Sequence, residues 1–203
     1  MLPEKTFENR VGIITGGGTG IGFAIARELA KLGATVIIAS RSEEHLGPAV
    51  EQLRSETGRK NAADFVVLDV RESDSVEAMV AKVHGEHGHI DFLVNNAGRS
   101  IRRAIEASYD RFHDYERTMQ LNYFGCLRVT MGVLPGMVHK TRGHVVNISS
   151  IGVLTMSPRF AAIVASTAAL DAGPRGAAPP RRARARDSGR PCSTDRPNHA
   201  ALA

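Results

Sequence analysis

Short apolar runs alternate with segments whose apolar residues recur every three or four positions, starting near residue 10. The runs Arg10–Thr15, Thr35–Ser40, Asp64–Asp69, Asp91–Asn95 and His144–Ile148 are rich in Val, Ile and Leu on both alternating faces. Such runs read as strands buried on both sides, the kind found in the middle of a parallel sheet. Between them, helical periodicity predicts helices near Ile21–Leu32, Pro48–Ser55 and Asp74–His84, and a long pair over about Ser108–Val138. In the third, Val76, Met79, Val80 and Val83 fall at i, i+3, i+4 and i+7, so one stripe faces the sheet. Pro48 is expected to open the second helix, because proline suits a first turn and disrupts an interior. Strand–helix alternation of this kind defines an α/β fold with helices on both faces of a parallel sheet.

The pattern changes near residue 172. From Ala172 onward Ala, Arg, Pro and Gly dominate, and Leu202 is the one large aliphatic. A segment this poor in apolar surface does not offset its ordering entropy, so 172–203 is expected to be a disordered tail beside a single domain at 1–171. The tail also explains the charge. The chain has 26 basic and 21 acidic residues, but the tail holds 7 Arg against 2 Asp, leaving 19 of each before it. The apparent basicity therefore does not argue for nucleic-acid binding by the domain. Two cysteines, Cys126 and Cys192, give neither a disulfide framework nor metal-ligand spacing and fit a reducing, cytoplasmic setting. No apolar run approaches the ~20 residues that span a bilayer. His84, His87 and His89 with Glu86 have metal-ligand chemistry, but they fall where a helix ends and turns, with Gly85 and Gly88 as turn residues, and no metal site is expected.

The candidate chemistry begins at the first strand–helix turn, Thr15-Gly16-Gly17-Gly18-Thr19-Gly20-Ile21-Gly22. Glycines here permit a tight turn and close backbone approach to a pyrophosphate, with the helix N-terminus supplying positive potential. The spacing Thr-Gly-x-x-x-Gly-x-Gly resembles that of the short-chain dehydrogenase/reductase family. Family-like elements follow in order: Asn95-Asn96-Ala97-Gly98 after the fourth strand, Asn122 in the helical pair, and Asn147-Ile148-Ser149-Ser150 at the end of the fifth. The resemblance covers about residues 8–171 and implies a Rossmann-type doubly wound sheet that is C-terminally incomplete here.

The resemblance implies a cofactor site formed by Thr15, Gly16, Thr19, Gly20, Ile21, Gly22, Ser40, Arg41, Asp69, Val70, Asn95, Ala97 and Gly98. Arg41, just after the second strand, can grip a 2′-phosphate where an acidic residue would bind a ribose hydroxyl, so NADP(H) is favoured over NAD(H). The alternative is a solvated Arg41 paired with Glu43 or Glu44. Asp69 matches the adenine-contacting position, and Asn95 the position beside the adenosine ribose.

Ser150 and Asn122 match the family's catalytic Ser and Asn. The Tyr and Lys of Tyr-x-x-x-Lys fall on Ile163 and Thr167. No tyrosine lies beyond Tyr123 and no lysine beyond Lys140. The proton donor and its activating cation are thus both replaced, and the homologue is expected to be an oxidoreductase by family with impaired catalysis. Two further readings stand beside it: a non-catalytic nucleotide-binding or regulatory protein that assembles with itself or with relatives, and a non-functional product of a frame change near Asp171. The stretch Arg99–Gly136 resembles bacterial fatty acyl-CoA reductases, and Ala39-Ser40-Arg41 resembles enoyl- and dienoyl-CoA reductases. Both imply a small-molecule carbonyl or acyl-thioester substrate.

Overall fold

The computed structural model describes residue 3 and residues 5–156 and 158–172; most of the predicted tail lies outside the described residues, although Ala172 ends a helix. Five parallel strands, β1 (Val11–Thr15), β2 (Thr35–Ser40), β3 (Ala63–Val67), β4 (Phe92–Asn95) and β5 (His144–Asn147), lie in the order β3-β2-β1-β4-β5. The helices are α1 (Gly20–Lys31), α2 (Glu43–Thr57), α3 (Ser73–His87), α4 (Phe112–Met119), α5 (Cys126–His139), α6 (Gly152–Thr155) and α7 (Ala161–Ala172). This is the expected doubly wound Rossmann-type sheet.

Alternation along the strands divides the core. Ile13, Ile37 and Leu93 face α3 and α5, where Val76, Met79, Val83, Val129 and Val133 complete one buried cluster. Their neighbours Ile14, Val36, Ile38 and Val94 face α1 and α2 with Ala26, Ala30, Leu46 and Leu53. Register fixes this assignment, since Ile13 stands opposite Ile37 and Leu93, and a one-residue slip would exchange the faces.

Two sequence expectations are corrected. The third strand ends at Val67 rather than Asp69, with Leu68 still buried and joined to Ser40 through its N–H. Pro48 lies inside α2, not at its start. Glu43 and Glu44 occupy the first turn, where negative charge suits the helix dipole, and fully buried Leu46 draws that turn onto the sheet. Burying one leucine stabilises by about 1.5–3 kcal/mol, comparable with the cost of the hydrogen bond proline cannot donate. The long helical pair is one rod interrupted by a π-helical segment at Gln120–Gly125 between α4 and α5.

At the opposite end of the sheet from the strand C-termini, Asp91 joins β1, β4 and β5. Its carboxylate accepts the Val11 N–H at 2.9 Å and lies 3.2 Å from Arg10 and 3.0 Å from His89, with Arg142 also paired. Burial alone would raise this carboxyl's pKa, but the Val11 N–H, His89 and Arg142 outweigh it and hold the value below the usual range. Asp91→Ala is therefore expected to lower the unfolding free energy by about 1.5–3 kcal/mol, and removal of half-exposed Arg142 by less than about 1. The contribution of Asp91 is complete above the unfolded carboxylate pKa of about 4 and is lost as pH falls through the lower folded value. Urea titrations of wild type and Asp91→Ala should converge at acid pH; a constant difference down the pH range would contradict this assignment.

On the α1 side of β4 and β5, Phe7, Ile25, Leu29, Phe92 and Val146 line a groove of about 840 Å³. Val146 is 36 % exposed, so β5, whose apolar run reads as buried on both sides, is only partly covered among the described residues.

Candidate functional site

The C-terminal ends of β1, β4 and β5 meet at one rim. After β1 the chain turns through Gly16, whose φ is +67° and whose N–H donates to Ala39 at 2.7 Å. A Cβ on Gly22 would lie 2.3 Å from the Gly16 carbonyl oxygen, so only glycine lets α1 pass this close to the turn. Thr19 precedes α1 in extended conformation, and its side chain makes no capping bond to the helix. The first N–H groups of α1 are thus left for an anion.

Thr15, a predicted cofactor residue, is 2 % exposed. Its hydroxyl accepts the N–H groups of Asn96 and Ala97, both at 3.0 Å, so the side chain ties β1 to the 95–98 loop. Asn96 returns the tie by donating through Nδ2 to the Thr15 and Gly16 carbonyls. Asn95 is likewise turned inward: Nδ2 donates to Thr130 Oγ1 and Asn147 Oδ1, both at 2.9 Å, while Oδ1 is buried without a partner. The polar atoms of both side chains thus fasten the sheet seam, and Asn95 also lines the cavity beside Ser150.

At the end of β2, Ser40 donates to the Ser42 carbonyl at 3.2 Å. Arg41 is exposed, and among the described residues no hydrogen bond or ion pair holds its guanidinium, to Glu43 or Glu44 in particular. Asp69 stands nearby and is fastened to Arg71, with Nε donating at 2.9 Å and the backbone N–H at 3.0 Å. The Arg71 side-chain bond lowers the Asp69 carboxyl to about 2, with a smaller contribution from the charge of Arg41. Asp69 stays ionised at any neutral pH and partly balances Arg41. Val70 packs beneath this rim, 5 % exposed.

Asn122 sits in the π segment, where the extra residue in the turn carries its side chain inward. Its Oδ1 accepts the Arg99 N–H at 2.8 Å, and its Nδ2 donates to the Arg99 carbonyl at 2.9 Å and to Ser166 Oγ at 3.1 Å. This one amide clamps the post-β4 loop to α7. A second tie runs from Ser149 Oγ to Asp171 Oδ2, 2.8 Å.

A cavity of about 240 Å³ lies between these elements, lined by Ile21, Gly98, Asn122, Ser150, Ile163 and Thr167 among others. The positions carrying Ile163 and Thr167 therefore face the same space as Ser150. The Ser150 hydroxyl accepts the Gly152 N–H at 3.1 Å. Thr167, 5 % exposed, donates its hydroxyl to the Ile163 carbonyl at 2.6 Å, so it is committed to its own helix. Cys126 also lines the cavity, but burial pushes its thiol up to about 12 and removes it as a nucleophile at neutral pH.

The histidine group is separated by the fold. His89 pairs with Asp91, and His84 packs beside Gly136 of α5. His87 instead comes within 4.8 Å of ligand atoms of Glu86 and Asp64, a grouping that the local sequence did not show because Asp64 arrives from β3.

The chain matches the short chain dehydrogenase family over residues 10–178, and it belongs to that family. It is 46 % identical over 164 residues to an uncharacterized oxidoreductase of Mycobacterium tuberculosis, covering 81 % of this chain and 48 % of that protein. A fatty acyl-CoA reductase of Acinetobacter baylyi is 44 % identical over 171 residues, 84 % of this chain and 57 % of the relative. The chain thus spans about half the length of these relatives. Among solved structures, NAD+-bound xylitol dehydrogenase superposes with TM-score 0.76 at 30 % identity, covering 81 % of this chain and 62 % of its own. Actinorhodin polyketide ketoreductase with NADPH gives 0.73 at 36 %, with 83 % and 63 % covered.

Proposed function

We propose that this family member binds NADP(H) and has lost most of the family's carbonyl oxidoreductase activity through replacement of its proton donor. The observation that carries the reading is the cavity shared by Ser150, Ile163 and Thr167, in which no described side chain offers an ionisable proton at the position of Ile163.

The residues present fit a dinucleotide. The uncapped start of α1 and the glycine turn before it suit a pyrophosphate, and the Gly16–Gly22 approach leaves no room for a Cβ that would close the cradle. Ser40 and Arg41 would hold the ribose end, and Asp69 with Val70 the adenine. Gly98 and the backbone of Ala97 would border the nicotinamide side. The bound nicotinamide supplies or accepts a hydride. Ser150 would orient a carbonyl oxygen by donating its hydroxyl. Asn122 would hold the loop and α7 at fixed spacing. Neither Ile163 nor Thr167 moves a proton, and a carbonyl reduced here would draw its proton from water.

The fatty acyl-CoA reductase relatives support an acyl thioester or a long-chain aldehyde as the substrate class. A non-catalytic nucleotide-binding role is the second reading, favoured by the commitment of the Thr167 hydroxyl to Ile163. Titration with both dinucleotides tests the cofactor choice. NADPH is expected to bind more tightly than NADH, and Arg41→Ala to remove about 1.5–3 kcal/mol of that preference. Equal affinities in the intact chain would overturn the choice.

A further inference from the structure

We propose that Arg99, Arg102 and Arg159 form a phosphate-binding rim at the mouth of the Ser150 cavity, fitted to the phosphorylated nucleotide end of a coenzyme A thioester. The proposal rests on the carbonyl-reductase reading, of which it specifies the substrate. It starts from a loop that is not free to move as a solvated segment. At one end the Asn122 amide holds both the N–H and the carbonyl of Arg99. At the other, Arg103 forms a parallel bridge with Phe160 and donates its N–H to the Arg159 carbonyl at 2.8 Å. The Arg103 guanidinium also lies 3.3 Å from Asp114, a carboxylate 7 % exposed that is shared with Arg111.

These ties bring the 99–103 loop against the start of α7. Phe160 lies one turn before Ile163, and its carbonyl accepts the Val164 N–H at 2.9 Å. Arg102 stands 6.0 Å above the Phe160 ring, the range for a cation on an aromatic face. Arg99 lines the cavity itself. Asp114 is consumed by Arg103 and Arg111, and among the described residues no carboxylate pairs with Arg99, Arg102 or Arg159. Three unpaired guanidinium groups on a pinned frame suit phosphate oxygens, which they meet bidentately.

The segment that follows Ser150 is apolar and exposed. Ile151, Leu154 and Met156, directly after Ser150, are 72 %, 81 % and 68 % exposed. A cationic rim and an exposed aliphatic segment next to one serine in the chain suit a ligand that carries both phosphates and an acyl chain. A simple sugar or short polyol would use neither.

The test is calorimetric titration of the full chain with coenzyme A, dephospho-coenzyme A and pantetheine, each with and without saturating NADPH. Coenzyme A is expected to bind at least tenfold more tightly than pantetheine, with dephospho-coenzyme A between them. Arg102→Glu with Arg159→Glu should weaken coenzyme A at least tenfold and leave NADPH affinity unchanged. Arg117→Glu, on the exposed part of α4, should change neither. Equal binding of coenzyme A and pantetheine overturns the proposal, as does an equal loss in Arg117→Glu, which would reveal attraction to general positive charge. If the double reversal fails to fold by circular dichroism, Arg102→Gln with Arg159→Gln is read in its place, with the same tenfold criterion. Coenzyme A binding without NADPH binding would overturn the cofactor reading and support this rim.

Discussion

Mixed with NADPH and a long-chain aldehyde or acyl thioester, the unmodified chain is expected to show no reduction above background, while Ile163→Tyr with Thr167→Lys gains weak but measurable turnover. A positioned general acid contributes ~10²–10⁴ in rate, and its loss is the largest functional effect the cavity implies. Tyrosine at 163 would enter the space that Ile163 now shares with Ser150. Lysine at 167 would break the 2.6 Å bond from Thr167 to the Ile163 carbonyl and extend toward the same space. Water entering beside the rebuilt pair is expected to keep the rate low. NADPH oxidation measured with and without substrate decides the matter. Robust turnover by the unmodified chain that disappears in Ser150→Ala would show that a different group supplies the proton.

The second large effect concerns the cradle. Gly22→Ala is expected to abolish measurable NADPH binding and to lower stability by about 1–3 kcal/mol, the cost of forcing atoms into a filled space. The added methyl would meet the Gly16 carbonyl at 2.3 Å and Asn96 Nδ2 at 2.5 Å, and both of those groups anchor the β1 turn to the 95–98 loop. Gly18→Ala is the matched control. Its nearest neighbour would be Leu46 at 3.5 Å, an ordinary contact, so stability should stay within about 0.5 kcal/mol of wild type. Thermal melts with and without NADPH separate the two effects. Equal behaviour of the two variants would remove the steric argument.

The sheet and its flanking helices were legible because burial on both faces leaves continuous apolar runs, and α3 shows a stripe at helical spacing. Where the reading slipped, a long-range contact outweighed a local rule. Pro48 looks like a helix start until Leu46, two residues earlier, is seen buried against the sheet. α7 shows no stripe, since Ala161 to Ala169 contains few polar residues, and its helix is seen only through its packing. The π segment has no local signature; Asn122 needs it to reach both Arg99 and Ser166.

Within the candidate site, the tight turn at Gly16 and the close approach at Gly22 were readable from the glycine spacing alone. The inward turn of Asn95 was not, because its partners Thr130 and Asn147 lie 35 and 52 residues away. Arg71 was within reach: a cation two residues after Asp69 at a strand end is a natural partner for that carboxylate.

The position of β1 at the centre of the sheet, between β2 and β4, bears on how the chain is made. Domains take shape from the N-terminal side as synthesis proceeds, at about 5–20 residues per second. With the first strand in the middle, each later strand docks on an edge already formed: β2 and β3 on one side, then β4 and β5 on the other. The glycine turn, Arg41, Asp69 and the 95–98 loop have all emerged by residue 98, before the segment that carries Ser150. A nascent chain can thus bring the glycine turn, Arg41, Asp69 and the 95–98 loop together while the segment that carries Ser150 is still being translated.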